Sequence, residues 1–569
     1  MQSFRPSRFR PFRRAVLLVL TLLSACAAAE PAPQDISSAA ALAGTDNAAG
    51  ALLVARFAAS QQDMGIAAPA YVRALALDPG NVELRQQAFL TNLLANTPQT
   101  VALARSLPQN QAAILVQAND AARNGNWTQA EARFAALQHQ GLFDLLRPML
   151  IAWSEAGAGR PEAGLALLRP LTEAPGGPRA LYALHAAMIA DLAGLPVDSI
   201  RLARIAQTEL GGSNLQVVRL LAGLLARDGH TAQAEQIVRS LLDAGGDLPL
   251  AVPDLLAGIK DRPVRNAADG LAEVYFAGAA ALRGQNANDF STLILHLALD
   301  MRPDLTPARL LGAELATAAK HPENGLKILA PVAANDRLIA LVQYRRALLQ
   351  DAMGNSALAL QAIEQIIRDH PDRPEPLARL GGMLRALHRY PEAVSAYDRA
   401  MALIPKPGRR DWPMFYERGA ALERAHDWKR AEQDFLQALD LSPDQPFVLN
   451  YLGYSWAEQG RNLPRARQMI ERAAALRPND GAILDSLGWV VLRQGDVPGA
   501  VKQLERAAEL DAGDPTINAH LGDAYWAAGR KLEAQFQWRR ALTLNPEPDD
   551  VAKLEREIRD GAPRTSVTP

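Results

Sequence analysis

One side chain stands out for its chemistry: Cys26, the single cysteine in 569 residues. A thiol can be acylated, oxidised or bound to metal, but a solitary one excludes an intrachain disulfide and any CxxC metal site. The nine histidines are scattered and never form HExxH, and no GxxxxGK(S/T) phosphate loop occurs. "GYSWA" (453–457) begins like a nucleophile elbow but lacks the second Gly, and it falls on a helical stretch rather than a strand-to-helix turn. "GAG" (157–159) is a turn with no strand before it. The abundant carboxylates read as solvated helix faces. No catalytic residue, metal ion or cofactor is expected.

The surroundings of Cys26 narrow its role. Five arginines (Arg5, Arg8, Arg10, Arg13, Arg14) and no acid precede it, followed by a short apolar run from Ala15 to Leu23. That run falls short of the about 20 residues a permanent transmembrane helix needs and reads instead as an export signal. "LSAC" (23–26) resembles the lipobox of bacterial lipoproteins, which implies lipidation at Cys26 and a membrane anchor. Ala27, where an Asp would retain such a lipoprotein at the inner membrane, implies an outer-membrane protein facing the periplasm. An ordinary signal peptide would leave a soluble periplasmic protein. Residues 27–47 lack bulky apolar side chains through most of their length and read as a tether. Beyond the five arginines, 55 Lys and Arg stand against 61 Asp and Glu. A net charge of about −6 attracts no phosphate backbone, so nucleic acid is not an expected partner.

The length exceeds one compact core, and 49% apolar residues with only 5% aromatics point to a helical protein built on Ala and Leu. The C-terminal half repeats. Leu521-Gly522, Tyr525, Ala534, Trp538 and Ala541 recur 34 residues earlier as Leu487-Gly488, Val491, Ala500, Leu504 and Ala507. Gly453 with Ala466, Gly419 with Ala431, and Gly381 with Ala393 continue the series. This spacing resembles the tetratricopeptide repeat. "LGYSWAEQG", "DSLGWVVLRQG" and "HLGDAYWAAG" look particularly like the C-terminal repeats of proteobacterial tetratricopeptide lipoproteins. The implied fold is an all-α, right-handed superhelical solenoid of antiparallel helix pairs, in which small residues such as Gly522 and Ala534 let the two helices approach.

The expected organisation is a signal (1–26), a tether (27–47), divergent repeats (48–242), an irregular connection (243–271), further divergent repeats (272–339), well-matched repeats (340–546), a polar capping helix (547–560) and a disordered tail (561–569). At about 100° per residue, repeat positions 2, 5, 9 and 12 share one face of the first helix, and in this family that face lines a groove for peptides or partner helices. In the last three repeats it holds Phe447, Asn450, Tyr454, Asp485, Trp489, Leu492, Thr516, Asp523 and Trp526. Aromatic rings beside amides and carboxylates suit a binding hot spot, or the two tryptophans fill gaps between repeats. The resemblance implies a non-enzymatic scaffold or adaptor with protein partners, for envelope assembly, secretion or a periplasmic protease. A carbohydrate-handling module of polysaccharide export is the alternative, and an unfamiliar enzyme site within 243–270 is a third possibility.

Overall fold

A computed structural model describes residues 47–561 apart from 175, 177, 284–286 and the side chain of residue 549. The segment expected to be an export signal, Cys26, most of the expected tether and the residues beyond Gly561 lie outside the described residues. Within them the chain is all-α, with helices in successive antiparallel pairs and no strand. These residues form two compact units, one up to Pro371 and one from Asp372 onward.

The C-terminal unit runs from the Pro374–Ala386 helix to the Pro548–Asp560 helix. Its first helices start cleanly. Asp480 accepts a hydrogen bond from the Ile483 amide, and Asp514 from the Ile517 amide, satisfying N–H groups that a helix start leaves unpaired. Pro515 follows Asp514 at the first helical position, where its missing N–H costs nothing. Each first helix turns into its partner through a residue in left-handed geometry, as at Gly495 (φ 87°) and Gly529 (φ 76°), where a Cβ would be strained.

The repeat glycines have a more specific partner than the small residue opposite. A Cβ on Gly522 would lie 2.5 Å from Trp538, and one on Gly488 2.5 Å from Leu504 Cγ. The same holds for Gly453 against Ile470, Gly419 against Phe435 and Gly381 against Tyr397. In every copy the glycine receives the bulky side chain four residues beyond the small one (Ala534, Ala500, Ala466, Ala431 and Ala393). Those alanines are themselves fully buried. Gly488→Leu should therefore overpack the site and lower stability by about 1–3 kcal/mol. An unchanged denaturant midpoint would contradict that packing.

The N-terminal unit runs from the Ala48–Ser60 helix to the Ser356–Asp369 helix. The pairing lapses after Arg239 into two 3-10 turns, Ser240–Asp243 and Leu248–Ala251, and a short helix, Val252–Ala257. Regular structure resumes at Ala267, five residues before the position expected from the period. The cause is a cap: Asn266 Oδ1 accepts from the Asp269 amide, while the Asp269 carboxylate accepts from the Arg265 amide. The resulting helix, Ala267–Leu282, is buried on nearly every side. It lies against Gly141–Gly157, with Gly270 under the Trp153 ring and Gly278 against Leu146. Tyr275 reaches across 156 residues of sequence to donate to Asn119 Oδ1 at 2.7 Å.

Candidate functional site

In the N-terminal unit, the Ala267–Leu282 helix packs onto Gly141–Gly157 and also meets Arg179–Leu192, so the chain itself covers the inward sides of these helices. The C-terminal unit keeps an open cavity of about 240 Å³ across four successive first helices. Its wall includes Glu423 and Arg424, then Asn450, Tyr454 and Glu458, then Asp485, and finally Asp514 with Thr516. Helical spacing explains the convergence, because Asn450, Tyr454, Asp485 and Thr516 occupy repeat positions 5, 9, 5 and 2 on one face.

Four of the expected groove residues meet here: Asn450, Tyr454, Asp485 and Thr516. Asn450 is 2% exposed, and its carboxamide oxygen has no hydrogen-bond partner. A buried, unpaired acceptor costs free energy until something donates to it. The Asp485 carboxylate already has a partner: His520, one repeat later, lies 2.9 Å and 3.0 Å from its two oxygens. Burial opposes the charge on His520, but the carboxylates of Asp485 and Asp523 prevail and raise its pKa overall, with Lys553 working against them.

The remaining candidates pack against neighbours: for Trp489 and Trp526 this is the gap-filling alternative, while for Phe447, Leu492 and Asp523 it corrects the expectation that they line an open groove. Trp489 stacks on the His520 ring at 4.3 Å between centroids, under Lys553. Trp526 packs against Trp538 and Gly561. Asp523 accepts from Trp538 Nε1 at 2.9 Å and pairs with Lys553 at 3.4 Å. Phe447 is buried beneath the Arg477 guanidinium. For Trp489, Asp523 and Trp526 the physical reason is the Pro548–Asp560 helix. It sits where the first helix of another repeat would, and its Lys553, Leu554 and Glu557 turn inward. It is thus more than a polar cap. Glu557 is buried, and this burial together with the Asp523 charge pushes its carboxyl up to about 7 despite Lys553.

Sequence reasoning missed the Asp485–His520 pair. The available signal was an acid and a histidine one repeat apart, at positions 5 and 6. Among the described residues no group of three His, Cys, Asp or Glu could hold a metal ion, and no helix is long and apolar enough to cross a membrane.

The fold and site define an all-α solenoid with an acid-lined cavity on the first helices of its C-terminal pairs. Residues 344–406, 416–480 and 457–515 match the family model for the tetratricopeptide repeat. The chain therefore carries tetratricopeptide repeats, stacked helix pairs of the kind used as protein-interaction scaffolds. A TPR repeat-containing protein of Pseudomonas aeruginosa is 35% identical over 113 residues, 20% of this chain and 19% of that one. Human tetratricopeptide repeat protein 13 is 31% identical over 106 residues, 19% of this chain and 12% of the relative. The match thus spans about a fifth or less of either relative. A tetratricopeptide repeat protein from Parabacteroides merdae is 14% identical with a TM-score of 0.37, over 44% of this chain and 98% of that structure.

Proposed function

We propose that this protein is a periplasmic scaffold or adaptor, anchored to the outer membrane through lipidated Cys26, that binds an extended segment of a partner protein in the cavity of its C-terminal unit. The observation that carries the binding reading is the buried, unpartnered oxygen of Asn450 in the cavity wall. An extended peptide supplies a regular series of N–H donors that reach this acceptor once the carboxamide turns toward the cavity. The lining also selects: Glu423, Glu458, Asp485 and Asp514 face Arg424 as the only basic lining residue, so a neutral or basic segment fits better than an acidic one. The anchor is supported by the sequence around Cys26, and anchoring adds to binding by concentrating partners at the membrane. Envelope assembly, secretion, and delivery of clients to a periplasmic protease all fit this arrangement.

A photo-crosslinking side chain placed at Glu458, on the cavity rim, should yield a discrete polypeptide adduct in cells. Asn450→Ala should reduce that adduct about tenfold, which corresponds to about 1.4 kcal/mol, with helicity unchanged. An adduct of undiminished yield would place the binding site elsewhere. Cys26→Ser should move the protein from the membrane fraction to the soluble periplasm, and unaltered membrane association would refute the anchor.

A further inference from the structure

The irregular connection that interrupts the pairing in the N-terminal unit builds a second cavity, of about 360 Å³. Five of its twelve lining residues are arginines: Arg219, Arg262, Arg265, Arg302 and Arg337. Their pairing is uneven. Arg302, 8% exposed, donates to the Pro263 carbonyl at 2.6 Å and to Asp304 at 3.2 Å. Arg265 pairs with Asp269 and Asp304, Arg262 with Asp191, and Arg337 with Asp261. Of those carboxylates only Asp261 is in the lining, so the cavity wall carries more guanidinium than carboxylate.

Arg219 is the exception. It makes no hydrogen bond and no salt bridge among the described residues. Burial makes its charge harder to hold than an exposed arginine's, while Glu273, Asp336 and Asp261 act on it through space only. Its side chain is half-buried in the cavity wall, and a guanidinium there with no carboxylate in contact suits an anion with oxygens matched to its fork. Gly258 makes room for the Arg337–Asp261 pair, because a Cβ there would strike both. The remaining wall is apolar: Val218, Ala222, Val238, Leu255 and Ile259.

We infer that this cavity is a binding site for a small organic oxyanion, a phosphate or carboxylate carried on an apolar body, with the anionic group on Arg219 and the body against the Val218–Ile259 wall. The volume falls in the range of small-molecule pockets. The site is independent of the peptide-binding cavity and is made by residues 218–337 alone.

Calorimetric titration of the full chain with inorganic phosphate and with phenyl phosphate tests the inference. Phenyl phosphate should bind at one site per chain and at least about tenfold more tightly than inorganic phosphate. Arg219→Met, which keeps the apolar stem, should weaken phenyl phosphate at least tenfold while helicity and melting are retained. Should that variant fail to fold, Arg337→Gln on the exposed rim carries the same test, with a loss of about threefold. Absence of saturable binding to the unaltered chain, or binding left intact by the substitutions, would overturn the inference. Equal binding of the two probes would overturn its apolar half.

Discussion

Trp153→Ala is expected to destabilise the N-terminal unit by about 3–5 kcal/mol, the usual cost of emptying a tryptophan-sized core site. The side chain is fully buried. Its ring covers Gly270 so closely that a Cβ there would overlap it, and its Nε1 donates to His185 Nδ1 at 3.1 Å. One side chain therefore joins three helices: Gly141–Gly157, Arg179–Leu192 and Ala267–Leu282. Truncation leaves a cavity at the first and third and strands a buried ring nitrogen on the second, adding to the cost. Amide hydrogen exchange should accelerate in all three helices and stay unchanged from Asp372 onward. A stability loss below about 1 kcal/mol would mean that the Ala267–Leu282 helix is not held through this contact.

The same helix shows where sequence and structure part. The C-terminal repeats were legible because one physical constraint, a glycine facing a bulky side chain, recurs with the period: Gly488 with Leu504, then Gly522 with Trp538. Periodicity turns a weak local signal into a strong one. The Ala267–Leu282 helix pairs with Asn288–Met301 as a repeat would, but its contacts to Asn119, Leu146 and Trp153 come from more than a hundred residues away and follow no period. Its composition did carry a sign, since "LAEVYFAGAAAL" lacks the polar stripe of a surface helix. The candidate groove was legible in part for a related reason. Spacing alone brings Asn450, Tyr454 and Asp485 to one face, but it cannot show that Lys553 and Glu557 of the last helix close over Trp489 and Asp523. The arginine cavity escaped because Arg219, Arg262 and Arg337 converge only through a connection that has no period at all.

Two buried groups, one in each unit, should respond to protonation in opposite directions. Burial holds the His185 pKa down to about 3 in the folded protein, against an ordinary value of 6.5. Below pH 6.5 the unfolded chain takes up a proton that the folded one refuses. The stability associated with neutral His185 is thus complete above that pH and declines as pH falls towards 3. Between pH 6.5 and 5 the loss is about 2 kcal/mol at about 1.4 kcal/mol per unit. His296 shifts the same way, to about 4, through burial, so His185→Gln should shrink the acid sensitivity of the Arg179–Leu192 helix without abolishing it. In the C-terminal unit Glu557 is raised to about 7 by burial and by Asp523. There the folded state keeps its proton while the unfolded chain gives it up near 4.5, and stability falls as pH rises from 4.5 to 7, by about 3 kcal/mol. The raised pKa of His520 works in the same sense, because its pairing with Asp485 weakens as pH climbs through the folded value. Hydrogen exchange corrected for intrinsic rates, measured at pH 5 and pH 7.5, separates the effects. Relative to the unaltered chain, His185→Gln should gain protection at pH 5 in the N-terminal unit alone, and Glu557→Gln should gain it at pH 7.5 in the last two pairs and the final helix. Equal responses of both units to either substitution would mean that these buried groups do not govern the pH dependence.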